Sequence, residues 1–178
     1  MQQVKPNERY FLRENVTGTS HDGCLFRFLM ESDRFVFFFD VEDTDIISPF
    51  QTDNEDVWEA DAAEVFLSPD GNLKRYFELE VSPYGVRFFA AISNEDGIHF
   101  EVEKQTPAFT ATAELTDAGY RVTIFLPYAS LPGLDKKAMK MNAFRIDQKP
   151  DGTQLLYALS PTFCDRFHRP KYFLGVEE

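Results

Sequence analysis

Between residues 24 and 42 the chain reads CLFRFLMESDRFVFFFDVE, two apolar, aromatic-rich runs broken only by Ser32-Asp33. Short runs rich in Phe, Val and Leu suit a pleated, half-buried strand, and a brief polar break between two of them reads as a tight turn. The spacing predicts strands over 23–31 and 34–42, and the same pattern recurs at 8–14, 61–68, 74–82, 85–92, 98–105, 108–115, 119–126, 139–147, 154–160 and 172–177. Pro83-Tyr84-Gly85 and Asp117-Ala118-Gly119 supply further turns, and one short helical stretch is expected at 128–131, after Pro127. Two irregular regions remain, 43–57 and 161–171. No repeat, low-complexity tract or linker interrupts the series. The expectation is an all-β chain: an antiparallel β-sandwich of immunoglobulin-like or jelly-roll type, with one or two short helical turns, forming one domain over 1–178.

Alternation assigns side chains to faces. In KRYFELEV, Phe77, Leu79 and Val81 form the apolar face, and Tyr76, Glu78 and Glu80 the other. In AAEVFL, Ala63, Val65 and Leu67 are expected inward, leaving Glu64 and Phe66 on the second face. In AFRID, Phe144 and Ile146 oppose Arg145 and Asp147, and Arg145 is assigned to the mixed face as counter-charge for Glu64, Glu78 and Glu80. A face that mixes carboxylates, a guanidinium and aromatic rings suits a hydroxyl-rich ligand, because carboxylates accept, Arg donates and rings cover C–H surfaces. The same mixture also fits a paired structural layer beneath covering loops.

Composition narrows the partners. A formal net charge of −12 opposes nucleic-acid and anionic-membrane surfaces, which call for basic patches. No apolar run approaches the roughly 18 residues of a membrane span, and the first residues carry no apolar signal core. A cytoplasmic location is therefore favoured, or a secreted one if a signal has been removed. Cys24 and Cys164 form no metal-ligand spacing and read as two free thiols or one disulfide. Asn15-Val16-Thr17 fits a glycosylation pattern to which nothing is attached here.

Four groups of residues now resemble a known pattern. They are Trp58-x-x-Asp61-x-x-Glu64-x-Phe66 with the run from Tyr76 to Gly85; the run from Gly119 to Pro127 with Leu131; Asn142 to Asp147; and Ser160-Pro161 with the run from Phe167 to Gly175. In order and spacing, across roughly 23–178, they resemble the family 9 carbohydrate-binding module and its DOMON-type β-sandwich relatives. That resemblance implies a non-catalytic sugar-binding domain, often beside polysaccharide-degrading enzymes. It also implies two tryptophans that clamp a sugar at a glycan end. Trp58 matches the first, and Phe167 stands at the second. The family's hydrogen-bonding glutamate falls on Glu64, a family arginine on Glu78 and a family asparagine on Cys164. The segment before residue 23 lacks the family's usual opening motif.

The ligand-binding candidates are therefore Trp58, Glu64, Phe167, Arg145, His168 and Glu78, for a mono- or oligosaccharide partner. Asp61 is expected to satisfy loop amides. Two other readings remain: an interaction or scaffold domain that has lost sugar binding, supported by Glu78 and Cys164, and a glycoside hydrolase using paired carboxylates such as Glu64 and Glu78. No cofactor is expected. Calcium is carried as an open candidate on Asp43, Asp45, Asp53 and Asp56, although neither acidic run is an EF-hand loop. The histidines lack zinc spacing, and Met30, Met139 and Met141 read as core rather than haem ligands.

Overall fold

The computed structural model describes residues 3–177; residues 1, 2 and 178 of the expected domain lie outside the described residues. Among the described residues fourteen strands run in chain order: β1 (Gln3–Val4), β2 (Tyr10–Phe11), β3 (Arg13–Glu14), β4 (Cys24–Met30), β5 (Arg34–Glu42), β6 (Ala62–Ser68), β7 (Arg75–Val81), β8 (Arg87–Ser93), β9 (Glu101–Lys104), β10 (Thr110–Leu115), β11 (Gly119–Pro127), β12 (Lys140–Gln148), β13 (Gln154–Ala158) and β14 (Leu174–Val176). Single 3₁₀ turns occupy Val57–Glu59, Tyr128–Ser130 and Pro170–Tyr172. The strand expected at 8–14 divides: β2 pairs with β4 in one sheet, and β3 pairs with β13 in the other.

The smaller sheet has the order β10-β11-β5-β4-β2. The larger runs β1-β14-β12-β6-β7-β8-β9, with β13 and β3 joined through β12. Every pairing is antiparallel except β1 with β14. The long aromatic runs explain the smaller sheet. In β5, Phe35, Phe37, Phe39 and Val41 project into the interior, where Phe39 meets Phe26 of β4 at 5.1 Å between ring centroids. These side chains pack against Ala63, Val65, Leu67, Leu79, Val81, Phe89, Met141 and Ala143 of the larger sheet. Each fully buried Phe or Leu contributes about 1.5–3 kcal/mol, so the two facing layers hold the sandwich together.

Two corrections concern side. The alternation in β12 is as expected, but Arg145 pairs in register with Ala63, on the face between the sheets. Phe144 is the residue opposite Glu64. Arg145 is therefore not a partner of Glu64, Glu78 or Glu80 and does not face the proposed ligand side. Its guanidinium is 1% exposed and lies 3.2 Å from Asp43 and 3.4 Å from Asp147. A buried guanidinium needs such partners, because an unpaired interior charge costs several kcal/mol. Both cysteines are free; Cys24 is buried beside this group, and burial pushes its thiol up to about 12. The second correction is Phe167, which is flanked by charges in CDRFHRP yet does not lie at the surface. It is only 8% exposed, because its ring lies flat on Phe144 at 4.2 Å.

The larger sheet is covered on its outer face too. Phe66, Tyr76, Phe88, Ile92, Phe144, Ile146, Phe167 and Phe173 form a second apolar cluster there. The two irregular regions supply the cover.

Candidate functional site

The loop that carries Trp58 is held by its own acids. The Glu55 carboxylate accepts from the N–H groups of Gln51 and Thr52 at 2.7 and 2.8 Å. Asn54, at φ 65°, donates to the carbonyl of Gln105 and accepts from the N–H of Phe89. Asp61 accepts from the N–H groups of Ile47 and Gln148. The acids around Trp58 thus satisfy loop amides that would otherwise be unpaired. The indole meets Phe88 edge-on at 5.0 Å, and Lys104 lies over the ring at 5.3 Å while bonded to Asp56. Gln154 of β13 donates to the Trp58 carbonyl.

The second loop, 161–171, is tied down by Asn15. Its amide donates to Thr162 Oγ1 and to the Cys164 carbonyl, both at 2.8 Å, and its Oδ1 accepts from the Thr162 N–H. Asn15 is fully buried, so the sequon pattern it begins is occupied structurally. Phe163 adopts φ 56°, an unfavourable left-handed conformation for a bulky residue, and its N–H bonds to the Asn15 carbonyl. Asn142 of β12 anchors the loop's start by bonding Ser160 in both directions.

These two loops and the outer face of the larger sheet enclose a cleft of about 490 Å³. Of the six ligand-binding candidates, Trp58, Glu64, Phe167, His168 and Glu78 line it together. Arg145, on the opposite face, does not. Phe66, Phe88, Phe100, Ile146 and Leu156 complete an aromatic and apolar wall, with Asp165 and Arg166 also on the lining.

Glu64 of β6 sits directly opposite Glu80 of β7, and Phe66 opposite Glu78. Oxygens of Glu64, Glu78 and Glu80 all lie within 4.8 Å of one another. All three residues are buried. Among the described residues no Lys or Arg forms an ion pair with any of them, Glu64 Oε1 lacks a hydrogen-bond partner, and Glu80 is left to share a proton with the Glu78 carboxyl. Burial pushes the Glu78 carboxyl up to about 7. Glu64 and Glu80 are raised well above the usual carboxylate range by burial and by their like-charged neighbours. The nearest nitrogen is His168 Nε2, 3.7 Å from Glu78. Desolvation holds His168 down to about 3, so the ring facing Glu78 is neutral. Asn94 donates to the Tyr76 hydroxyl, which also shares a hydrogen bond with His168 Nδ1 at 2.8 Å and so fixes the ring with Nε2 toward Glu78. Phe100 stacks on the outer side of the ring at 3.6 Å.

Glu80 is the member of this floor that the candidate set omitted. Its position beside Glu78 in the Tyr76, Glu78, Glu80 alternation was the signal. The calcium candidates do not gather: Asp43 pairs with Arg145, Asp53 with Arg87 and Asp56 with Lys104. Asp43 instead clusters with Asp61 and Asp147, beside the Arg145 guanidinium.

The model of the carbohydrate family 9 binding domain-like family matches residues 5–159. The chain belongs to this family. The match takes in the segment before residue 23 that the sequence reading set apart, and it ends before Phe167 and His168. Among solved structures, a protein of Bacteroides uniformis provisionally described as carbohydrate-binding superposes with a TM-score of 0.76 at 18% identity, covering 96% of this chain and 86% of that one. A family 9 carbohydrate-binding module of Caldicellulosiruptor kristjanssonii, solved with cellotriose, gives 0.68 at 12% identity over 94% of this chain and 80% of that one. The same organism's module solved with glucose gives 0.65 at 12% identity, with coverages of 94% and 84%. These likenesses establish the shared β-sandwich fold. No curated protein matches significantly.

Proposed function

We propose that the cleft over the larger sheet binds a mono- or oligosaccharide at a glycan end and does not convert it. The observation that carries this reading is the convergence of Trp58 and Phe167 with Glu64, Glu78 and His168 on one cavity, from two loops and two strands. Aromatic faces cover the C–H surfaces of a sugar, and carboxyl and imidazole groups exchange hydrogen bonds with its hydroxyls. The solved relatives that hold cellotriose and glucose support the same ligand class. Phe167 already gives one ring face to Phe144, so its other face and edge are what remain for the ligand.

Trp58 is the only tryptophan, so its emission reports the cleft directly. Titration with mono- and oligosaccharides is expected to shift or quench it. Reducing and alditol forms of one oligosaccharide separate end recognition from binding along the chain. Flat emission and flat calorimetry for every sugar would overturn the reading and favour a protein-interaction domain. Sugar release from a glycan, lost in Glu64→Gln, would overturn the non-catalytic part.

A further inference from the structure

The floor of the cleft has the wrong charge for a site built around neutral hydroxyls alone. Three glutamates, each at least nine-tenths buried, converge within 4.8 Å. Glu64 faces the cleft with Oε1 unpartnered, while Glu80 stands behind, sharing a hydrogen bond with the Glu78 carboxyl. Buried carboxylates are normally paired, and like charges at this range cannot all ionise. Among the described residues no free cation lies beside this floor. Lys104 is engaged by Asp56, Arg166 pairs with Asp165 at 4.0 Å, and His168 is neutral. The walls are rings of Trp58, Phe66, Phe88, Phe100 and Phe167, which suit an organic cation better than a hydrated metal ion.

From this we infer that the cleft selects a sugar bearing a protonated amine, an amino sugar whose ammonium group sits against Glu64 and Glu78, with Glu80 behind them. The inference rests on the sugar-binding reading and names the ligand class within it. An ammonium supplies three donors to a floor where Glu64 Oε1 has none, and it stabilises the ionised forms of the glutamates. Binding therefore drives protons off the glutamates. The groups facing this floor are Tyr76 and His168 beside Glu78, and Asp56 toward Glu80; Lys104, Asp165 and Arg166 lie at the rim. Affinity for the amine is expected to rise between about pH 5 and pH 7, as the glutamates ionise more readily.

Calorimetry on the whole chain at pH 7 with D-glucosamine, D-glucose and N-acetyl-D-glucosamine tests this, with calcium chloride as a separate arm. The expected result is glucosamine binding at least tenfold tighter than either neutral sugar, with that ratio falling severalfold in Glu80→Gln. Equal affinity for glucosamine and glucose overturns the ammonium site and leaves the sugar reading standing. Calcium binding without a preference for glucosamine also overturns it. No binding by any of the three sugars overturns the ammonium site, and the oligosaccharide titration then decides the sugar reading separately.

Discussion

The two sheets differ most on the faces they turn away from each other. The outer face of the smaller sheet carries Arg27 over Phe38 and the Arg121–Asp40 pair, all reached by water. Apart from Val36, strands of that sheet bury mainly one side, as antiparallel sheets commonly do. The outer face of the larger sheet is buried under two loops and packs Phe66, Tyr76, Phe88 and Phe144 around three glutamates that, among the described residues, no Lys or Arg pairs. A face that water can reach tolerates charge cheaply. A covered face does not, so charge kept there signals either a partner or a cost in stability.

Several measurements sharpen this contrast, beginning with the largest effect. Phe66→Ala removes a fully buried ring from the covered face and is expected to cost about 3–5 kcal/mol in denaturant unfolding. Phe38→Ala, on the open face, is expected to cost less than about 1 kcal/mol. Equal losses would erase the distinction. Arg145→Ala strands Asp43 and Asp147 in the interior and is expected to cost about 3–5 kcal/mol. Arg121→Ala breaks only exposed pairs and should stay within about 1 kcal/mol.

A smaller effect depends on pH. Because the Glu78 carboxyl is raised, the folded state keeps a proton that the unfolded chain releases above its ordinary glutamate value. Stability from Glu78 is therefore intact below its ordinary value, declines as pH rises from there to about 7, and levels off above it. His168 acts oppositely: its depressed value makes folding less favourable below about pH 6.5, with the deficit growing down to about 3. Glu78→Gln removes the first contribution. Its unfolding free energy relative to the parent should rise with pH, by up to about 2–3 kcal/mol between pH 4 and pH 8. A gap independent of pH would contradict the buried, unpaired state of these carboxylates.

Much of this arrangement was legible in residue order. Period-2 alternation placed Glu64 and Phe66 on one face with Tyr76, Glu78 and Glu80, and the β6–β7 register joins them. Arg145 was misplaced for a physical reason. Alternation separates two faces but does not say which is interior when both are apolar and covered, and Phe144 and Ile146 look as core-like as Ala143. Only the pairing of Arg145 with Ala63 decides it. Asp43, its counter-charge, lies 102 residues away in sequence, beyond any local pattern. The depth of Phe167 was hidden similarly, since its stacking on Phe144 depends on a loop pinned by Asn15. The lack of any cation beside the three glutamates is a property of the assembled face, not of any one segment.

The most direct test is a crystal structure of the chain soaked with a sugar that quenches Trp58. The account predicts density for a sugar ring in the cleft, against Trp58 and Phe167 and within hydrogen-bond reach of Glu64. A sugar bound elsewhere, with the cleft between these residues empty, would contradict it.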